Sequence, residues 1–133
     1  MTKAVLDASA FLAYLGDEQG AAEVEEAIAV GACLSSINWA EVLSKLSDRG
    51  KSPQTTLKEL SAEGLINGAI ELFPFTADDA LSVAQLRNKT KAIGMSLADR
   101  ACIALALRLN LPAITSDRSW LQLKSNVSIR CIR

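Results

Sequence analysis

The chain has 133 residues, 50% of them apolar and 22% charged, with fourteen Lys and Arg facing fifteen Asp and Glu. These proportions exclude a disordered chain, and the length is enough to bury a stable core without disulfide or metal staples, so one domain over residues 1–133 is expected. Histidine is absent, which removes Ser-His-Asp and Cys-His nucleophiles and every imidazole ligand or base, while a net charge of −1 supplies no global basic field for a polyanion.

In chain order, the first apolar run, Ala4–Leu6, has strand length, and helical periodicity follows over Ser9–Leu15 and Ala21–Val30. Ala32–Leu34 is the second strand candidate, followed by helices over Trp39–Arg49 and Gln54–Glu63. A third strand is predicted at Ile70–Phe73, then helices over Ala77–Lys89 and Leu97–Leu109. In the second of these, Leu97, Ala101, Leu105 and Leu109 form an apolar stripe suited to packing on a sheet, with Ala98 and Cys102 beside it. The chain closes with a strand at Pro112–Thr115, a short helix at Ser119–Lys124 and a strand at Val127–Ile132. Strands alternating with helical crossovers imply an α/β fold, a mainly parallel five-stranded sheet flanked by helices on both faces. No repeat or linker divides it.

Cys33, Cys102 and Cys131 contain no C-x-x-C pair and are expected to be buried thiols rather than a disulfide framework or zinc site. The longest uncharged stretch, Ala27–Ala40, falls short of the roughly 18 residues that span a bilayer. Asp7 interrupts the first apolar segment and no basic region precedes it, so no signal peptide or membrane segment is expected and a reducing cytoplasm fits.

Ligands of parallel α/β folds bind at the carboxyl ends of the strands. Asp7 follows the first strand, Glu41 stands in the helix after the second, and Asp117 follows the strand ending at Thr115. Asp99, in the first turn of Leu97–Leu109, reaches the same rim if that helix packs beside Pro112–Thr115. Each acid also has a plain structural role: Asp7 and Asp117 as N-caps, Asn38-x-x-Glu41 and Ser96-x-x-Asp99 as capping boxes, as at Thr76-x-x-Asp79. Convergence is the distinguishing feature, because carboxylates gathered at one rim repel one another unless a cation compensates them. Hard oxygen ligands of this kind suit Mg²⁺ or Mn²⁺.

The wording around these acids is more specific than the acids themselves: V-L-D-A-S-A-F-L-A (Val5–Ala13), S-S-I-N-W-A-E-V-L-S-K-L (Ser35–Leu46), G-M-S-L-A-D-R-A-C-I-A-L-A (Gly94–Ala106) and T-S-D-R-S-W (Thr115–Trp120). In this order, over essentially the whole chain, the segments resemble the PIN-domain ribonucleases, most closely the VapC-like toxins of bacterial toxin–antitoxin pairs. Asp7, Glu41, Asp99 and Asp117 match the family's four acidic positions. The resemblance implies that these four hold Mg²⁺ or Mn²⁺ and that a metal-activated water hydrolyses an RNA phosphodiester, leaving 5′-phosphate and 3′-hydroxyl ends. Ser9, Asn38, Thr115 and Ser116 are candidate donors to those carboxylates, or turn residues. Arg87, Lys89, Lys91, Arg100 and Arg118 are candidate phosphate contacts, the first three serving equally well as cations at a helix end. Trp39 and Trp120 suit a core or interface role or, less readily, stacking on a base.

The resemblance also implies a homodimer, with a further toxin–antitoxin assembly, and a small antitoxin bound across the helices. Leu57, Leu60 and Leu65, with the Phe11, Leu12, Leu15 stripe, are either an apolar groove for a partner helix or core. Other readings are a non-catalytic PIN-type module binding RNA or protein, a metal-dependent nuclease acting on DNA, and a receiver-type phosphoacceptor. The last needs a lysine after a late strand, where this chain has Asp117.

Overall fold

The computed structural model describes residues 3–133. Its strands β1 (Ala4–Leu6), β2 (Ala32–Ser35), β3 (Ile70–Phe73), β4 (Ala113–Thr115) and β5 (Ile129–Cys131) form a five-stranded sheet in the order β3-β2-β1-β4-β5, every pairing parallel. The helices are α1 (Ala8–Leu15), α2 (Ala21–Val30), α3 (Ser36–Asp48), α4 (Pro53–Ala62), α5 (Ala77–Thr90) and α6 (Leu97–Leu109), and a 3-10 turn, Arg118–Gln122, follows β4. The expected α/β class and parallel sheet are found.

Strand side chains alternate between two cores because successive Cβ atoms leave opposite faces of a sheet. Ala4, Leu6, Leu34 and Ile114 join one core with α1, α2 and α3, while Val5, Cys33 and Ala113 join the other with α5 and α6. Both faces of the central strands are therefore dry, which is why those strands read as continuous apolar runs. Trp39 packs in the first core against Phe11, ring centroids 6.4 Å apart, and Trp120 is fully buried in the second. Neither indole is free to stack on a base.

Helix α6 spans the residues that its periodicity predicts, but its buried surface is the run Ala101–Ala106, enclosed by the sheet, α3 and α5. Leu97, expected in the stripe, is 56% exposed because it is the first residue of the helix and lies beyond the covered part. Helix α5 runs antiparallel to α6: Asp79 near its start pairs with Arg108 at 3.2 Å, and Arg100 Nη1 donates to the Val83 carbonyl at 2.9 Å.

Other boundaries differ for local reasons. Ser35, not Asn38, caps α3, accepting from the Ile37 N–H, so Asn38 lies inside the first turn and is buried. The predicted helix at Ser119–Lys124 contracts to the 3-10 turn. Cys33 and Cys102 are buried as expected, whereas Cys131, on edge strand β5, is half-buried. Gly20 precedes α2 at φ +93°, where an added Cβ would fall 2.6 Å from the Ile132 Cβ, so conformation and space both require glycine. Among the described residues no helix is long and apolar enough to cross a membrane.

The chain moves outward from β1 to β2 to β3, then returns to the other side of β1 to lay down β4 and β5. The reversal falls between β1 and β4. Strand connections leave in opposite directions there and open a crevice beyond the carboxyl ends.

Candidate active site

Asp7 leaves β1 and Thr115 ends β4, so these two residues face one another across the switch point. Asp7 caps α1: its Oδ1 accepts from the Ala10 N–H at 2.8 Å. The same carboxylate also accepts from the Thr115 hydroxyl at 2.6 Å and from the Ser9 hydroxyl at 2.8 and 2.9 Å. A cap needs only the first of these bonds, so the capping account is true and incomplete. Asp7 is 4% exposed, and burial pushes its carboxyl up to about 6 against the lowering influence of Thr115, Ala10 and Ser9, with the charge of Asp99 adding to the rise.

Asp99 closes the predicted capping box of α6: its Oδ2 accepts from the Ser96 N–H, and the Ser96 hydroxyl accepts from the Asp99 N–H. Glu41 is half-buried on α3, and burial raises its carboxyl, with Lys45 opposing and Asp99 assisting. Beneath them lies the fully buried Cys102 thiol, pushed well up first by burial and then by Asp7, Asp99 and Glu41 together. Three of the four predicted acids thus share one electrostatic neighbourhood. No Lys or Arg of the described residues forms an ion pair with any of them.

Asp117 is placed differently. It is exposed and caps the 3-10 turn, its Oδ1 accepting from the Ser119 N–H at 2.9 Å and the Ser119 hydroxyl at 2.7 Å. Its link to the other acids is indirect, through its own N–H, which donates to Thr115 Oγ1 at 3.0 Å. Ser9 completes the bridge between the junctions by accepting from the Ser116 N–H at 3.0 Å. Of the candidate donors, Ser9 and Thr115 reach a carboxylate through their side chains, and Ser116 contributes only backbone.

Asn38 binds no acid. Its Nδ2 donates to the Ala98 carbonyl at 3.0 Å, tying the turn of α3 that carries Glu41 to the turn of α6 that carries Asp99. Its Oδ1 is buried with no protein partner.

Among the described residues no group of three or more Asp, Glu or Cys side chains is placed to hold a metal ion, so the expected four-acid convergence is not present as a ready-made site. The donor types nevertheless suit a hard divalent cation: all-oxygen side chains that repel one another through Asp99, with no ion-paired Lys or Arg among the described residues.

The basic candidates separate into two sets. Arg100 is turned inward to Val83 and Arg118 Nη1 donates to the Arg133 carbonyl at 2.8 Å, so both have structural employment. Arg87, Lys89 and Lys91 are exposed at the end of α5. On the opposite side of the molecule's first core, Leu12, Leu15, Leu46 and Leu60 line a groove of about 330 Å³ between α1, α3 and α4, with Arg49, Lys51, Glu59 and Glu63 around it. Phe11 is core, Leu60 is nearly buried and Leu57 is 42% exposed, so the predicted leucine stripe divides between core and groove.

The family model described as PIN domain matches residues 4–125. No curated protein sequence matches the chain. Its fold is similar to that of a chain from DNA-bound VapBC of Salmonella typhimurium (TM-score 0.70, 19% identity, 100% of both chains covered). It is also similar to a chain of VapBC2 from Rickettsia felis bound to a promoter DNA fragment (TM-score 0.72, 18% identity, 98% of each covered). A toxin-antitoxin complex from Klebsiella pneumoniae contains a third similar chain (TM-score 0.70, 21% identity, 96% of this chain and 100% of that one).

Proposed function

The chain belongs to the PIN-domain family, and from that premise we propose that it is a metal-dependent endoribonuclease, the toxin of a toxin–antitoxin pair, with residues 1–133 forming one catalytic unit. The observation that carries the reading is that Asp7, at the sheet's switch point, and Glu41, on α3, both feel the charge of Asp99, with no Lys or Arg ion-paired to any of the three among the described residues. PIN domains are generally nucleases, and a carboxylate cluster without histidine is suited to phosphodiester hydrolysis only with a cation's help.

Asp7, Glu41 and Asp99 would hold Mg²⁺ or Mn²⁺, with Asp117 contributing from the exposed rim. When bound, such an ion supplies Lewis-acid stabilisation of the phosphodiester oxygens and makes a bound water acidic. The protein's own part is positional. Thr115, Ser9 and the Ala10 N–H fix both oxygens of Asp7, so its lone pairs have a defined direction. Asn38 fixes the approach of α3 to α6 and with it the separation of Glu41 from Asp99. Absence of histidine leaves no pair of imidazoles to activate the ribose 2′-hydroxyl.

The toxin reading draws on the similar chains, one of them from a complex described as toxin-antitoxin. The leucine-lined groove between α1, α3 and α4 would accept an apolar helix of a small antitoxin, its charged rim fixing orientation. A homodimer that assembles further with the antitoxin belongs to the same proposal, as does action in the cytoplasm.

The test is a cleavage assay on structured RNA, with a DNA oligonucleotide of the same sequence in parallel. Purified protein is expected to cut the RNA with Mn²⁺ or Mg²⁺ and to stop in chelator, and Asp7→Asn or Asp99→Asn abolishes both cutting and growth arrest on induction. Undiminished cutting in excess chelator, or 2′,3′-cyclic phosphate ends, refutes the mechanism. Cutting of DNA alone overturns the substrate class.

A further inference from the structure

Two grooves lie side by side at the far end of α5. One, of about 450 Å³, is lined by Leu86, Lys89, Leu107, Lys124, Ser125 and Asn126. The other, of about 430 Å³, is lined by Lys89, Ala92, Ile93, Gln122 and Lys124. Lys89 and Lys124 border both, so the two grooves together form a trough edged by one pair of lysines. No Asp or Glu lines either groove, and neither lysine is in an ion pair among the described residues. The first groove is mainly polar, with Ser125 and Asn126 beside the lysines, and the second adds Ala92, Ile93 and the amide of Gln122.

The location is as informative as the lining. One wall is the segment after α5 that leads into the Ser96–Asp99 capping box, and the other follows the 3-10 turn that Asp117 caps. Both walls are thus close in sequence to segments that carry two of the four acids. Two lysines that share a border with no acid in the lining, and no ion pair among the described residues, suit a polyanion.

We propose that the Lys89–Lys124 trough is a seat for a single-stranded stretch of the RNA substrate beyond the scissile bond, the lysines contacting its backbone phosphates. This rests on the ribonuclease reading for the identity of the strand. Lys124 thereby joins Lys89 as a substrate contact from a separate element, and binding of flanking nucleotides becomes part of how the chain selects where it cuts.

Binding is measured in chelator by fluorescence anisotropy of a 5′-labelled RNA of about 20 nucleotides, mixed in sequence, against wild type, K89Q/K124Q and K89R/K124R over a range of salt. Losing two single-strand phosphate contacts is expected to weaken binding roughly tenfold at low salt and to lower the slope of log Kd against log salt by about 1.4. The arginine pair keeps the wild-type slope. Both lysines are exposed, and equal melting temperatures establish that the variants are folded. An unchanged Kd and slope in K89Q/K124Q overturns the proposal, as does a change in sedimentation with RNA binding intact, which would give the trough to a second copy of the chain. Binding in chelator needs no turnover, so the two readings fail separately. RNA that binds with the predicted slope but is never cut in Mn²⁺ sinks the nuclease reading alone, and metal-dependent cutting with an unchanged slope sinks the trough alone.

Discussion

Replacing Asp7 by Asn separates a carboxylate held for function from one held as a helix cap. Asn and Asp cap helices about equally well, so a pure cap predicts a change of no more than a few tenths of a kcal/mol. The structure predicts more. Asp7 titrates near 6 in the folded chain against an ordinary value of 3.8, because burial disfavours its charge. The folded state then holds the proton more tightly than the unfolded state, so this contribution to stability is complete below about 4 and is lost as pH rises through about 6. At 1.36 kcal/mol per pH unit, the ionised side chain costs on the order of 3 kcal/mol at pH 8, and 1–3 kcal/mol is a realistic range for a buried group. Asn imitates the protonated acid and escapes that cost. For a chain of this length each kcal/mol moves the melting temperature by roughly 3–5 °C, so in chelator at pH 8 Asp7→Asn is expected to melt roughly 3–15 °C above wild type, and the gap closes by about pH 4. Millimolar Mn²⁺ reverses the order, because an ion that binds only the folded state stabilises it by RT ln(1 + [L]/Kd), and the carboxylate binds it better than the amide. The measurement is a set of thermal melts at fixed ionic strength, with and without Mn²⁺. Coincident melts of the two proteins at pH 4 and pH 8 would refute the electrostatic reasoning, and an equal response to Mn²⁺ would refute Asp7 as a ligand.

Thr115→Val removes the strongest influence lowering the Asp7 carboxyl and the acceptor of the Asp117 N–H. It should raise the Asp7 titration midpoint in a carboxyl ¹³C NMR experiment and destabilise the protein in chelator by about 1–2 kcal/mol; an unmoved midpoint counts against the hydrogen bond. Gly20→Ala and Gly50→Ala form a controlled pair, because both glycines have positive φ but an added Cβ meets Ile132 only at Gly20. Urea denaturation should show a loss of about 1 kcal/mol for Gly50→Ala and clearly more for Gly20→Ala, and equal losses would mean that Ile132 yields without cost.

Elements with strong local signals were legible from the amino-acid sequence. Helix α6 carries a Ser96-x-x-Asp99 box at one end and Asn110 in the left-handed region at the other, so both ends are encoded within a turn of where they fall. The start of α3 was misjudged because Ser35, Ser36 and Asn38 are all good caps, and the choice among them is settled by distant packing: Asn38 is drawn to Ala98 and the Ser36 hydroxyl accepts from the Phe75 N–H. The four acids could be named from their local wording. That Asp7, Glu41 and Asp99 share one neighbourhood while Asp117 stands exposed depends on strand order, which no local pattern encodes. Lys124 escaped notice for a related reason. It lies beyond Asp117 on a loop, and only the fold brings it beside Lys89 on α5.

The hydrogen bond from Thr115 to Asp7 joins residues 108 positions apart, the first strand of the sheet to one of the last. During translation, at about 5–20 residues per second, several seconds separate the emergence of Asp7 from that of Thr115. Throughout that interval β1 lacks one of its two neighbours, and the carboxylate at its tip lacks its shortest hydrogen bond. A nascent chain on the ribosome, or a fragment released before Thr115, carries Asp7, Glu41 and Asp99 without the strand that completes their setting. Ribosome-arrested chains of increasing length would show protease resistance arriving only after β4 has cleared the exit tunnel. The sheet order acts as a timer, delaying assembly of the site until β4 has been made.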